Sequence, residues 1–262
     1  MKFMATLQDW LASQRYEMIH AWGIVTGQGL VNVGLAPAEK PEADASWAAV
    51  QSWCRAVYDE VWRTAVQPGE LRTQARLLEV GCGQGVGLAY LKDATGADCS
   101  GIDSARIACL SARIAGLDVR RASMDALPFS DGTFTHVVSV EALFLFGDTT
   151  AMLREIHRVL APGGILAAAT FSSADLLTTQ KSMTELAEGA GLELLEVRDE
   201  TERARTSILR GEAARAQWAR KIPVPLRDRF RDILSLNGSR RHAAWRDGHN
   251  HYFIATFRSL KA

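Results

Sequence analysis

The sequence predicts an α/β protein in which a doubly wound, mostly parallel sheet carries helices on both faces. Between about residues 75 and 171, short apolar runs of β type alternate with runs of helical period, which is the pattern of such a sheet. The first apolar run leads directly into a cluster of glycines and then into a helical run. A turn of this kind exposes backbone N–H groups at a helix N-terminus, and it is typical of a ligand site.

Seven strands and four intervening helices follow from these patterns. The third helix ends before the breakers Ala161-Pro162-Gly163-Gly164. The predicted strands are residues 75–80, 98–102, 117–122, 134–140, 165–171, 192–200 and 251–259, and the predicted helices are 85–93, 104–115, 149–160 and 181–189.

Residues 1–70 are predicted to form an N-terminal helical lid on an α/β core of residues 71–200. Ser46 is a candidate cap for a helix whose apolar positions, from Trp47 to Val61, recur every three or four residues. A shorter helix is predicted around residues 10–19. The glycine-rich segment between the two helices is too long and too apolar for a simple linker, which favours a mobile element over a pocket.

Residues 201–248 separate the last two strands and are too many for an ordinary loop. We therefore predict a C-terminal helical insertion that covers a substrate, followed by the final core strand within 249–262. The apolar residues of the insertion fall four apart from Trp218 to Leu234. Pro223 and Pro225 predict a break, with a second helix starting near Pro225.

Composition excludes several classes of function. The chain has 262 residues, 30 basic and 30 acidic side chains, and 47% hydrophobic residues, so disorder and general nucleic-acid binding are disfavoured. The N-terminus lacks a signal-peptide core, and the uncharged stretch 18–38 is too rich in glycine for a membrane span. Four cysteines without a C-x-x-C pair predict no metal site and a cytoplasmic protein with reduced thiols.

The glycine cluster Gly81-Cys82-Gly83-Gln84-Gly85 has the spacing G-x-G-x-G. A dinucleotide fingerprint would place its third glycine at position 86, which is Val86. The next strand ends at Asp103, whose carboxylate can accept hydrogen bonds from both hydroxyls of a ribose. One strand later, Asp125 lies in a loop and is suited to accept a hydrogen bond from an adenine amine.

Five segments in order, LLEVGCGQG, GID, MDALPF, FTHVVSVEALFLFGD and LREIHRVLAPGGIL, resemble the class I S-adenosylmethionine-dependent methyltransferases. The resemblance covers about Leu77 to Phe171. It implies S-adenosylmethionine as cofactor and a seven-stranded Rossmann-like methyltransferase fold with a reversed last strand, closed by the strands of Leu192 and Tyr252. The cofactor-binding residues it implies are Glu79, Gly81, Gly83, Gly85, Asp103, Ser104, Met124, Asp125 and Ala126.

Within that superfamily the chain is most similar to enzymes of small molecules, including sugar, polyketide and fatty-acid O-methyltransferases and quinone C-methyltransferases. Tyr16 and the stretch 31–34 resemble the cofactor lid of that group. Relatives often carry paired histidines after a Glu-x-Leu, whereas this chain reads Glu141-Ala142-Leu143-Phe144-Leu145-Phe146. The usual candidate base is therefore missing.

Three residues remain as catalytic candidates. His249 and His251 lie where the insertion returns to the sheet, and the alternative for both is a partly exposed turn histidine. Glu141 follows a strand at its C-terminal end, and its alternative is a solvated loop acid. The predicted reaction is methyl transfer to a small organic acceptor, at oxygen. An acceptor group that is acidic enough to be ionised already would need only to be oriented, without a base.

Two other functions stay open at this stage. One is a nicotinamide-dependent oxidoreductase, which Val86 and Asp125 oppose. The other is a protein that binds the cofactor but steers a cyclisation or a partner, which the missing histidines favour. Between Arg203 and Arg246 there are twelve basic and three acidic residues, which suits an anionic or carrier-bound substrate or a solvated helical face. The acceptor and the oligomeric state are not specified by the sequence.

Overall fold

A seven-stranded sheet organises the chain, as the sequence predicts. The computed structural model describes residues 17, 20, 21, 29–39, 44–66, 75–144 and 148–261. Tyr16 and most of the helix predicted over residues 10–19 lie outside these ranges. The strands are β1 (Arg76–Val80), β2 (Asp98–Asp103), β3 (Asp118–Arg121), β4 (Phe134–Val140), β5 (Leu160–Ser172), β6 (Leu192–Asp199) and β7 (His251–Ser259).

The strand order is β3-β2-β1-β4-β5-β7-β6. The first five strands in this order are parallel to their neighbours, whereas β7 runs antiparallel to both β5 and β6. The predicted antiparallel pair at the end of the sheet is therefore confirmed. The order reverses between β1 and β4, and the carboxyl ends of strands at such a switch point leave a crevice for a ligand.

Nine helices lie in the part of the chain that the structure describes. The helices are α1 (Trp47–Ala65), α2 (Val86–Thr95), α3 (Arg106–Ile114), α4 (Thr149–Val159), α5 (Leu176–Glu188), α6 (Thr201–Arg210), α7 (Glu212–Ala219), α8 (Val224–Arg231) and α9 (Arg240–Arg246). None of the described helices is long and apolar enough to cross a membrane.

Both faces of the sheet are buried, each by its own apolar cluster. Leu77 belongs to the cluster that includes α1, while its neighbour Leu78 belongs to the cluster that includes α4 and α5. Successive strand residues point to opposite faces, so a strand buried on both sides must be apolar throughout. This explains the continuous apolar run in β1.

Local signals set several helix ends. The Ser46 hydroxyl accepts a hydrogen bond from the Ala49 N–H at 3.2 Å, which confirms the predicted cap of α1. The helix predicted at 181–189 instead begins at Leu176, because Asp175 caps it by accepting from the Thr178 N–H at 2.8 Å. Extended backbone begins directly after α4, so β5 starts earlier than the predicted residue 165.

The insertion between β6 and β7 is helical, as predicted, and consists of α6 to α9. The predicted break is present, since α7 ends at Ala219 and Pro223 precedes the first residue of α8. Trp218, Ile222, Phe230 and Leu234 form a small apolar cluster of their own. Trp218 also stacks on Trp47 of α1 with ring centres 5.8 Å apart, which joins the insertion to the N-terminal helix.

Candidate active site

A cavity of about 640 Å³ lies at the carboxyl ends of β1, β2 and β4, next to the switch point of the sheet. Its wall is made by the strand ends, by one face of α1, by the segment 29–33 and by residues of the insertion. Both regions that the sequence predicts to cover a pocket therefore contribute to it. The lining residues on which the chemistry depends are Gly81, Gly83, Asp103, Asp125, Glu141, Arg215 and Arg241.

The glycines after β1 have left-handed backbone angles, with φ of 77° at Gly81, 53° at Gly83 and 75° at Gly85. Gly81 and Gly83 line the cavity, as predicted. Gly85 does not line it. A Cβ atom on Gly85 would lie 2.5 Å from Leu117 Cδ1, so Gly85 allows α2 to begin close to the chain that follows α3.

Asp103 ends β2 and faces the glycine turn. Its Oδ2 accepts a hydrogen bond from the Gly83 N–H at 2.8 Å, and its Oδ1 accepts one from the Ala105 N–H at 2.8 Å. A carboxylate has about four acceptor positions, so two remain for the hydroxyls of a ribose. Ser104, Met124 and Asp125 also line the cavity, whereas Ala126 does not.

Glu79 lies in β1 and is almost fully buried, although it does not line the cavity. Its Oε1 accepts a hydrogen bond from the Tyr58 hydroxyl at 3.0 Å, and its Oε2 has no partner. Burial raises the pKa of Glu79 to about 7, and the charge of Asp103 adds to this rise against the Tyr58 hydrogen bond. A positive charge bound at the neighbouring glycine turn would stabilise the ionised form.

Glu141 lines the cavity at the end of β4, with a positive φ of 53° that is uncommon for a residue other than glycine. Its Oε1 accepts hydrogen bonds from the Val33 N–H at 2.7 Å and the Tyr252 hydroxyl at 2.9 Å. Burial raises the pKa of Glu141, while these two hydrogen bonds and the charge of Arg241 oppose the rise. These two hydrogen bonds hold the carboxyl at the wall through Oε1.

The two predicted histidines are not brought to the cavity. His249 is exposed beyond the end of α9. His251 begins β7, where its ring stacks on Phe253 with centres 6.1 Å apart. Its neighbour Tyr252 points to the opposite face of the sheet, toward Glu141. Of the three catalytic candidates, only Glu141 lines the cavity.

The structure adds residues that the sequence does not single out. Trp47, Gln51, Cys54 and Tyr58 of α1 all line the cavity. In the sequence Trp47, Cys54 and Tyr58 show only the apolar period of a helix, which does not distinguish a wall of a cavity from a core, and Gln51 shows no signal. Phe144, one of two phenylalanines after the Glu141 turn, packs on Phe257 with ring centres 6.3 Å apart, so it is part of the core.

The described residues contain no group of side chains that could hold a metal ion. His20 also lines the cavity, where a Cβ on Gly83 would lie 3.1 Å from its Cε1. Burial lowers the pKa of this histidine. It therefore adds a neutral ring beside the glycine turn at neutral pH.

Comparison with known proteins agrees with this geometry. Residues 78–168 match the family described as a methyltransferase domain. The chain is 30% identical over 220 residues to the phthiotriol/phenolphthiotriol dimycocerosates methyltransferase of Mycobacterium tuberculosis, covering 80% of this chain and 78% of the relative. The chain belongs to the class I S-adenosylmethionine-dependent methyltransferases of small-molecule type.

Two further similarities are consistent with this family. The chain is 33% identical over 159 residues to the methyltransferase GfsG of Streptomyces halstedii, covering 50% of this chain and 57% of the relative. The solved structure of the [4+2]-cyclase SpnF has the same fold, with a TM-score of 0.75, 22% identity and 96% of each chain covered. Membership of the methyltransferase family favours methyl transfer over the alternative of a nicotinamide-dependent oxidoreductase.

The cofactor of this family is S-adenosylmethionine, and the residues present fit it. It supplies a methyl group on a positively charged sulfur. Glu79, whose pKa is raised to about 7, lies beneath the glycine turn, and a cation bound there would favour its ionised form. Asp103 retains free acceptor positions toward the cavity, and the exposed Asp125 lies on the same side. These three acids would hold the cofactor.

Proposed function

We propose that the chain transfers a methyl group to an oxygen atom of a small, natural-product-like acceptor, with Glu141 as the base. The supporting observation is the position of Glu141 among the acids that line the cavity. Asp103 and Asp125 follow β2 and β3, on the side assigned to the adenosine. Glu141 follows β4 and is the remaining acid among the described lining residues.

The wall around Glu141 is largely apolar. Leu30, Val33, Val50, Phe171 and Leu234 come from four separate parts of the chain and line the same cavity. Apolar walls with a few polar groups are typical of sites for small organic molecules. Because about 640 Å³ must accommodate both the cofactor and the acceptor, a small acceptor is favoured.

Burial raises the pKa of Glu141, which favours transfer of a proton to it. A carboxyl with a raised pKa is a stronger base than an exposed one, provided that it is ionised at the working pH. In the proposed step the acceptor oxygen bonds to the methyl carbon, the carbon–sulfur bond breaks and the hydroxyl proton moves to Glu141. The Val33 and Tyr252 hydrogen bonds fix Oε1, which leaves Oε2 to take the proton.

Glu141→Gln tests this role, because the amide oxygen can still accept from Val33 and Tyr252 but cannot take a proton. Loss of a general base is expected to reduce methyl transfer by about 100-fold or more. The assay follows isotopically labelled methyl from the cofactor into a metabolite extract. Binding of S-adenosylhomocysteine, measured by calorimetry, should be unchanged.

Tyr252→Phe is the matched control, since it removes one hydrogen bond to Glu141 and leaves the carboxylate in place. Its activity should fall by much less than that of Glu141→Gln. Equal activity of wild type and Glu141→Gln would exclude Glu141 as the base. If S-adenosylhomocysteine binds while labelled methyl is never transferred, the cyclisation alternative is favoured instead.

A further inference from the structure

Arg215 of α7 is a buried cation that makes no ion pair in the part of the chain that the structure describes, although the charge of Glu212 acts to raise its pKa. It is 6% exposed and lines the cavity. Its Nη2 donates hydrogen bonds to the carbonyl oxygens of Ser207, at 3.2 Å, and Ile208. Its Nε has no acceptor. Burial lowers its pKa to about 10, so the guanidinium is still charged at neutral pH.

Arg241 of α9 lines the same cavity. Its guanidinium carbon lies 4.5 Å from the centre of the Phe171 ring. Its side chain makes no ion pair with any described carboxylate, although its charge acts to lower the pKa of Glu141. Two cations therefore face one carboxylate on the acceptor side of the cavity.

Other arginines of the insertion behave differently. Arg203 pairs with Glu60 and Glu200 at 3.0 and 3.1 Å, and Arg246 pairs with Asp247 at 2.7 Å. Arg203 thus belongs to a partly buried ion-pair network, whereas the exposed pair of Arg246 fits a solvated, charged helical face. Among the described side chains of the insertion, Arg215 and Arg241 are the arginines that line the cavity.

A buried guanidinium without an opposing charge is destabilising by several kcal/mol. The two carbonyls at the C-terminal end of α6 offset part of this cost through hydrogen bonds and the helix dipole. The Nε–H of Arg215 still lacks an acceptor among the described residues. A planar carboxylate matches the forked donors of arginine better than any neutral group does.

We propose that the methyl acceptor carries a carboxylate group that binds Arg215, with Arg241 as the second cation of the same subsite. This inference rests on the proposed methyl transfer and adds the chemical class of the acceptor. The carboxylate is an anchor, and it supplies a second negative charge beside Glu141 to match the two cations. A neutral ester of the same compound would lose this contact.

The test measures binding of three hydroxy acids to protein saturated with S-adenosylhomocysteine. The probes are 4-hydroxyphenylacetate, 4-hydroxycinnamate and 3-hydroxydecanoate, each compared with its methyl ester by calorimetry. We expect at least one acid to bind about tenfold or more tightly than its ester, as one charge-assisted contact allows. The double variant Arg215→Lys/Arg241→Gln should lose this preference, since the lysine keeps the buried charge but removes the fork.

Arg240→Gln is the matched control, because the Arg240 side chain is 96% exposed, and it should keep the preference. Unchanged affinity of both variants for S-adenosylhomocysteine shows that each is folded. If no acid binds more tightly than its ester, or if the preference persists in the double variant, the inference is wrong. If an acid binds more tightly than its ester but is never methylated, the proposed function alone is contradicted. If acids and esters bind equally and are both methylated, the inference alone is contradicted.

Discussion

Gly81 and Gly116 have similar φ angles, 77° and 82°, but different surroundings. A Cβ on Gly81 would lie 2.4 Å from Ala142 Cβ, whereas a Cβ on Gly116 would meet nothing within 4 Å. Alanine in the left-handed region costs about 1–2 kcal/mol at either position. Gly81→Ala should in addition displace the wall of the cavity and weaken binding of S-adenosylhomocysteine. Gly116→Ala is the control. Equal affinity of Gly81→Ala and Gly116→Ala for S-adenosylhomocysteine, measured by calorimetry, would contradict this.

Asp103→Ala removes the acceptor for two backbone N–H groups and for the ribose hydroxyls. Hydrogen bonds to a charged group contribute about 1.5–3 kcal/mol, so S-adenosylhomocysteine should bind about tenfold more weakly or worse. Asp98 starts the same strand at its other end and is exposed. Asp98→Ala should leave the affinity unchanged. An unaltered affinity of Asp103→Ala for S-adenosylhomocysteine would show that Asp103 does not bind the ribose.

The element that covers the cavity, Gly29–Ala36, is held by three other parts of the chain. The Gln51 amide of α1 accepts from the Leu30 N–H at 2.9 Å and donates to the Leu30 carbonyl at 3.1 Å. The Ser207 hydroxyl donates to the Val33 carbonyl at 2.7 Å, and Glu141 accepts from the Val33 N–H. The sequence predicts a mobile cover, whereas the structure shows how its described part is anchored.

Gln51→Ala should loosen this anchored segment, because both hydrogen bonds to Leu30 are lost together. Backbone amides from Leu30 to Val33 should then exchange hydrogen for deuterium faster, which mass spectrometry of that peptide measures. Ser52→Ala is the control, since Ser52 is exposed on the same helix and bonds only within it. Identical exchange in Gln51→Ala and wild type would show that other contacts hold the segment.

The raised carboxyl pKa values should make the folded molecule less stable as the pH rises from about 4.5 to 7, whereas the lowered pKa values of His20, His157 and His242 act in the opposite direction. A carboxyl whose folded-state pKa is raised keeps a proton that the unfolded chain releases, so its contribution is full at low pH and is lost over this window. Glu79, with a pKa of about 7, contributes up to about 3 kcal/mol to this loss of unfolding free energy. Glu60 and Glu155 have lowered pKa values, so they titrate below the window.

Urea unfolding of wild type and Glu79→Gln at pH 5, 6 and 7 isolates the contribution of this carboxyl. The free energy of unfolding of the wild type should fall relative to that of the variant as the pH rises. Glu141 and Glu200 also have raised pKa values, and they contribute equally to both proteins. Parallel pH dependences would show that Glu79 does not hold its proton in the folded state.

Features that depend on neighbours in the chain were determined by the sequence alone. The glycine turn after β1, the Ser46 cap and the break before Pro223 each rest on a few consecutive residues. Asp103 was predicted at the end of the strand that follows the glycines, and its hydrogen bond from the Gly83 N–H shows that it lies beside them. The seven-stranded sheet with a reversed last strand was implied by the family resemblance of five motifs, whereas the strand order came from the structure.

Only the tertiary structure decided which polar side chains face the cavity. Glu141 accepts hydrogen bonds from Val33 and Tyr252, which are 108 and 111 positions away along the chain. His251 and Tyr252 are adjacent in sequence, yet the alternation of β7 sends them to opposite faces. Arg215 and Arg240 lie in one basic segment, but helix packing buries the first and exposes the second. Burial and long-range contacts arise when distant elements pack together, so no local pattern contains them.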